Sequence, residues 1–223
     1  MKYALIGKGK TGSKVAEILK AQEIPFKIFD SENPVDASEL SHYELGIVFV
    51  PGEVFQKILP TLVQSKIPIV SGSTGHTWPD RFDETLKKVG VTWIYSSNFA
   101  PGMSLIHKLL LDFNKVKKIV EDVDISIREV HHTGKLDAPS GTALAWSGRL
   151  SEHQVNIDSE RVGDEVGYHE LTLNLPYETI TLAHKSLDRK VFANGAVEVA
   201  NRISKFETGL INYEDYLQEQ FNK

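Results

Sequence analysis

Tyr3-Ala4-Leu5-Ile6-Gly7-Lys8-Gly9-Lys10-Thr11-Gly12 is the stretch whose reading decides the fold: a short apolar run enters G-x-G-x-x-G with nothing between. The helical spacing of Val15, Ile18 and Leu19 follows directly, so the order strand, glycine turn, helix is that of a dinucleotide fingerprint. Glycines there allow a tight turn and close backbone approach, and the helix start offers unpaired N–H groups to a pyrophosphate. The competing reading is a plain glycine-rich turn. Asp30 weighs against it, because it ends the second apolar run, Phe26 to Phe29, about 20 residues beyond the loop, where an acidic residue accepts ribose hydroxyls. A carboxylate in that place repels the additional phosphate of NADP, and Ser31 stands where an arginine would grip it. NADH is therefore expected over NADPH, with Lys8 and Lys10 compensating in part for the latter. A plainer role for Asp30, capping a turn, stays open.

Further short apolar runs follow at Gly46 to Val50, Ile67 to Val70 and Val91 to Tyr95, separated by amphipathic patterns such as Val54, Ile58, Leu59 and Leu62. That rhythm predicts an α/β fold, a Rossmann-like parallel sheet with helices on both faces. Near Asn98 the character changes. After a helix pattern from Met103 to Phe113, the apolar Val123, Ile125 and Ile127 alternate with Asp124, Ser126 and Arg128, the period of a sheet buried on one face. Leu171 and Leu173, then Ile180 and Leu182, repeat it on either side of Pro176-Tyr177. A C-terminal α+β domain with a mixed or antiparallel sheet is expected, its other face suited to a partner subunit. A last helix is expected from Val191 to Phe206, returning to the first domain. The division is then 1–98 plus 193–223 for the dinucleotide and 99–192 for substrate binding and oligomerisation.

The 223 residues are 41% hydrophobic and 25% charged, which excludes a disordered or fibrous chain. A net charge of -5 without a dominant basic cluster argues against nucleic acid as the partner. Cysteine is absent, so disulfides, thiolate metal sites and cysteine nucleophiles drop out together. No apolar run approaches the ~18 residues of a membrane span, and glycines interrupt the start where a signal peptide needs an apolar stretch. A soluble cytoplasmic protein is expected.

The chemistry concentrates in Glu129-Val130-His131-His132-Thr133-Gly134-Lys135-Leu136-Asp137-Ala138-Pro139-Ser140-Gly141-Thr142-Ala143. The segment ends a strand and begins a helix. Pro139 suits the first helical turn and Asp137 a cap before it, so Ser140, Gly141 and Thr142 are expected to present free N–H groups to an anion. Gly141 leaves room for a carboxylate to approach, Thr142 adds a hydroxyl and Lys135 a positive charge. Imidazole exchanges protons near neutral pH and an ammonium donates one, so the residues suit acid–base work beside a hydride acceptor. Neighbours along a strand point to opposite faces, so at most one of the two histidines shares a face with Ile125 and Ile127. A structural histidine pair, or a zinc site completed by His169 or His184, is the alternative, although zinc leaves the lysine and the anion-binding turn without a role.

His-His-x-x-Lys-x-Asp-Ala-Pro-Ser-Gly-Thr-Ala resembles the signature of the dihydrodipicolinate reductases. The likeness extends to Gly72-Ser73-Thr74-Gly75, Ser97-Asn98-Phe99, Gly167-Tyr168-His169-Glu170, Glu178 to His184 and Arg189 to Ala196, in the family's order. It implies reduction of hydroxy-tetrahydrodipicolinate, or the dihydrodipicolinate derived from it, to tetrahydrodipicolinate by NAD(P)H, and a homotetramer joined through C-terminal sheets; on the residues above, no metal is expected. By position it implies His131 as general acid–base residue, Lys135 as proton donor, and His132, Gly141 and Thr142 as carboxylate holders. Gly72, Ser73 and Thr74, with Ser96, Ser97, Asn98 and Phe99, are implied on the nicotinamide side. The chain departs from the pattern in a glycine loop one residue short, with Lys10-Thr11 where the family has an arginine, and in a short Ser31 to Glu44 stretch. Two other readings remain: a non-catalytic NAD-sensing protein, and a reductase of some other dicarboxylate.

Overall fold

The computed structural model describes residues 2–120 and 122–221. It divides into two compact units, Met1–Ala100 with Arg189–Lys223, and Pro101–Asp188.

In the first unit, β1 (Tyr3–Ile6), β2 (Phe26–Phe29), β3 (Leu45–Val48), β4 (Ile69–Ser71) and β5 (Thr92–Tyr95) alternate with α1 (Lys10–Ala21), α2 (Ala37–Leu40), α3 (Gly52–Ser65) and α4 (Phe82–Val89). The strands lie side by side in a six-stranded sheet whose pairings are all parallel, with a late strand at the β5 edge. Successive residues of β1 go to opposite cores. Tyr3 and Leu5 pack with Val15 and Leu19 of α1, while Ala4 and Ile6 pack with Phe55 and Leu62 of α3. Burial on both faces is why the central strands read as short apolar runs, whereas β2, at the edge, is only partly buried and carries Lys27.

The second unit opens with α5 (Pro101–Phe113), then β6 (Asp124–His131), α6 (Gly141–Arg149), β7 (Val155–Arg161), β8 (Tyr168–Leu175) and β9 (Glu178–Lys185). Its four strands run in the order β7-β6-β8-β9, with β6 parallel to β7 and antiparallel to β8. The sheet is therefore mixed. One face carries Ile125, Ile127, Glu129 and His131 of β6, all buried. The register sets Ile127 beside Ile157 and Leu171, but Glu129 beside Ser159 and His169. The inward face thus turns from aliphatic to ionisable as β6 approaches its end. Trp146 of α6, fully buried, packs over His169 with ring centroids 5.6 Å apart.

The chain then returns to the first unit with α7 (Lys190–Ala200), β10 (Gly209–Asn212) and α8 (Tyr213–Phe221). The helix expected to reach Phe206 stops at Ala200, where Asn201 ends it and accepts a hydrogen bond from the Tyr3 hydroxyl at 2.9 Å. The residues so freed form a short 3-10 turn, Ile203–Lys205, and β10 follows it as the edge strand beside β5.

Candidate active site

At the end of β6, Glu129 has no solvent exposure and its carboxylate is shared among three elements. Arg161, the last residue of β7, donates to its two oxygens at 3.0 and 3.1 Å. The Ser140 amide donates to it at 3.2 Å, and His131 Nδ1 makes a short contact with its other oxygen. Burial works to raise the Glu129 carboxyl, but hydrogen bonds led by that of Arg161 outweigh it and lower the group from 4.5 to about 2. An ionised carboxylate only accepts, so the His131 proton sits on Nδ1 and Nε2 carries the free lone pair. Burial pushes His131 below its ordinary range, against the pull of Glu129. Gly167 keeps the Nε2 side open, since a Cβ there would come within 3.3 Å of Nε2. His131 shares the buried face with Ile125 and Ile127, as the alternation allowed for one histidine, and His132 is half-buried beyond the strand.

Lys135 stands in the loop after β6, its ammonium 2.7 and 2.8 Å from the Asp137 carboxylate oxygens. The Lys135 hydrogen bond, with a smaller contribution from the Gly141 amide, holds Asp137 below the usual carboxylate range. The expected cap is corrected. Ser140, not Asp137, caps α6, accepting from the Ala143 amide at 3.2 Å, and Pro139 precedes the helix. Ser140 does not offer its N–H to an anion either, because Glu129 takes it and the residue is buried. The cause is tertiary: the carboxylate of a neighbouring strand claims that amide. Gly141 has open space where a side chain would stand, and Thr142 is half-buried.

Behind the helix start, His169 Nε2 lies 3.0 Å from the Ser140 hydroxyl, and burial pushes His169 down to about 3. Its Nδ1 is buried with no hydrogen-bond partner among the described residues. Glu129, His131 and His169 hold potential ligand atoms within 4.8 Å of one another, the nearest approach to the zinc alternative among the described residues.

These depressed values fix a pH dependence. Glu129 contributes stability that is complete above pH 4.5 and lost as pH falls through about 2, on the order of 3 kcal/mol. Below 6.5 the unfolded chain also takes up a proton that folded His169 refuses until about 3, so stability falls with acid there too, by on the order of 5 kcal/mol. Urea midpoints are expected to drop steadily from pH 7 to 4. A midpoint that is level or rises over that interval contradicts the assignment.

In the first unit the glycine turn has the shape a dinucleotide needs. Gly7 sits at φ +103°, where a Cβ would lie 2.2 Å from the Phe49 carbonyl oxygen, and a Cβ on Gly12 would lie 2.2 Å from that of Gly7. Gly9 meets nothing within 4 Å and begins α1 with no side chain capping it. Two glycines therefore close the turn and the third leaves its outer surface bare. Lys10 and Thr11 form the first turn of α1. A cavity of about 480 Å³ beside the turn is lined by Gly7, Lys8, Gly9 and Asp30, with Val35, Val54 and Ile58 as apolar walls. Asp30 serves a turn as well: its Oδ1 accepts from the Glu32 and Asn33 amides at 3.0 and 3.1 Å, while Oδ2 lies 4.0 Å from the Lys8 ammonium. Ser73, Thr74 and Ser97 line a second cavity of about 270 Å³ with His76 and Trp78. The other residues of that group shape the backbone. Gly72 leaves room for the Phe49 ring, the Ser96 hydroxyl donates to the Asn98 carbonyl at 2.8 Å, and Asn98 accepts from the Ala100 amide at 2.8 Å. Phe99 is buried in the core, 5.6 Å between centroids from Tyr213.

Arg161 and the role of Glu129 escaped the sequence reading. Only the register of β6 with β7 and β8 brings them together; the one local signal was the break in apolar alternation at Glu129.

A parallel sheet opened by a dinucleotide turn, joined to a mixed-sheet unit with a buried acid–histidine pair and a loop lysine, defines a two-unit nicotinamide-dependent oxidoreductase. The family described as dihydrodipicolinate reductase, C-terminus, matches residues 102–217. The chain is 30% identical to the 4-hydroxy-tetrahydrodipicolinate reductase of Christiangramia forsetii over 99% of each chain. It is 30% identical to that of Thermosipho africanus, over 99% of this chain and 100% of the other. The dipicolinate-bound dihydrodipicolinate reductase from Paenisporosarcina sp. TG-14 shares the fold at a TM-score of 0.70 and 21% identity, covering 96% of this chain and 98% of that one. This chain belongs to the dihydrodipicolinate reductase family.

Proposed function

We propose that the chain catalyses NAD(P)H-dependent reduction of 4-hydroxy-tetrahydrodipicolinate, or the dihydrodipicolinate derived from it, to tetrahydrodipicolinate, in diaminopimelate and lysine biosynthesis. The observation that carries this is likeness over nearly the whole chain to 4-hydroxy-tetrahydrodipicolinate reductases, with the Glu129 to Thr142 segment inside the matched family region. The reduced dinucleotide, when bound, supplies the hydride. Hydride addition to the conjugated imine builds negative charge at a neighbouring carbon, and the Lys135 ammonium delivers the proton that quenches it. His131 Nε2 exchanges protons at the same site, and the amides and hydroxyl of Gly141 and Thr142, with His132, hold the substrate carboxylates. No metal takes part in this proposal, because Glu129 is committed to Arg161, whose cation opposes a metal ion beside it.

The dinucleotide lies on the turn Gly7 to Gly12 with its ribose toward Asp30. NADH is preferred because Asp30 lines the cavity, and Lys8, 4.0 Å from its Oδ2, softens the preference. The working assembly is a homotetramer in the cytoplasm, a reading supported by the exposed surface of β9 and of Tyr177 before it. Among the described residues no helix is long and apolar enough to cross a membrane. A coupled assay with freshly made synthase product, following NADH and NADPH oxidation side by side, tests both claims. Substrate-dependent oxidation with the larger kcat/KM for NADH is expected. No turnover with either cofactor rejects the activity, and a tenfold advantage for NADPH rejects the role of Asp30.

A further inference from the structure

Arg161 ends β7 directly beside His131 in the parallel register, with its side chain 19% exposed. Its guanidinium has five N–H groups, and the structure spends each of them. Nη1 and Nη2 each donate to one oxygen of Glu129, at 3.1 and 3.0 Å. The second hydrogen of Nη1 goes to the Glu160 carbonyl at 2.6 Å, that of Nη2 to the Asp137 carbonyl, and Nε donates to the Lys135 carbonyl at 3.3 Å. A cation so fully used has no donor left for a substrate. Its partners are instructive: one side grips the acid that orients His131, and the other grips the backbone on which Lys135 is mounted.

We propose that Arg161, acting through Glu129, is the positioning residue of the chemical end, fixing at once the His131 ring in its Nδ1–H form and the loop that presents the Lys135 ammonium. Glu129 is the middle of the device. Its oxygens also receive the Ser140 amide, so the helix start that holds carboxylates is tied to the same point. A lysine cannot replace this arginine, because a single ammonium cannot span a carboxylate and carbonyls of the loop and its own strand in one plane. The charged and titratable groups around His131 are Glu129 on its own strand, Arg161 on β7, His169 on β8 and Lys135 in the loop.

The inference rests on the reductase reading above, and its test is arranged to fail separately. Arg161→Lys, Arg161→Ala and Glu129→Gln are made in the full-length chain, and kcat, KM for each substrate and NADH affinity are measured beside thermal unfolding. A lost positioning group displaces reacting atoms by about an ångström, so kcat is expected to fall on the order of 10² with NADH affinity unchanged. Methylguanidinium is expected to restore part of the Arg161→Ala activity, and ammonium at equal concentration none. Nitrogen NMR of histidine-labelled protein needs no turnover: His131 is expected as the single Nδ1–H tautomer in the unsubstituted protein and as a mixture in Glu129→Gln. A kcat within threefold of the unsubstituted enzyme in folded Arg161→Lys, no recovery with methylguanidinium, or one unchanged tautomer in Glu129→Gln overturns the proposal. An unsubstituted chain without reductase activity would reject the reductase reading alone, and the tautomer comparison would still decide the role of Glu129.

Discussion

Lys135→Ala is expected to lower kcat by on the order of 10² to 10⁴, the usual worth of a positioned general acid, while the NADH dissociation constant stays where it was. The ammonium is held against Asp137 by two hydrogen bonds in the loop between β6 and α6, and belongs to the second unit. The glycine turn proposed to receive the dinucleotide belongs to the first, so the substitution is expected to remove a proton and leave that turn intact. The neighbouring histidines do not replace the lost proton donor, because burial depresses both His131 and His169 and near neutral pH they favour the uncharged form. Steady-state kinetics with the coupled substrate and a fluorescence titration with NADH provide the two readings. Turnover equal to the unsubstituted enzyme would remove Lys135 from the mechanism.

Gly9→Ala and Gly12→Ala are expected to fail in different ways. Gly9 has φ -71° and ψ -169°, angles that alanine adopts freely, and its missing Cβ faces open space. The methyl group should leave the unfolding temperature unchanged and obstruct the approach of a pyrophosphate to the start of α1. Losing one charge-assisted N–H bond costs about 1.5–3 kcal/mol, so NADH binding should weaken roughly tenfold to a hundredfold. In Gly12→Ala the new Cβ would lie 2.2 Å from the backbone oxygen of Gly7, so the turn itself must move and both folding stability and binding should fall. Calorimetric unfolding with an NADH titration separates the cases. Unweakened NADH binding in Gly9→Ala would place the pyrophosphate somewhere other than this turn.

Much of this is legible in the sequence. The central strands β1, β3, β4 and β5 are buried on both faces, so each appears as an apolar run, and the turn between β1 and α1 is encoded in contiguous residues. β7 was overlooked for a physical reason. Its outer half carries Val155 and Ile157, but its inner positions near the chemistry are Ser159 and Arg161, so the apolar period breaks where the strand matters most. The short β10 gives little local signal, because Gly209-Leu210-Ile211-Asn212 holds only two apolar residues between a glycine and an asparagine. The cap at Ser140 was misplaced because both Asp137 and Ser140 have capping side chains, and only the partners of each decide between them.

The order of residues by itself determined the parallel sheet, the glycine turn, the acid at its second strand and the lysine loop ahead of a helix, because each depends on neighbours in the chain or on a short period. Tertiary structure alone decided how those groups are held. Arg161 reaches Glu129 across 32 residues, and strand register, which no local pattern contains, determines that their side chains meet on one buried face.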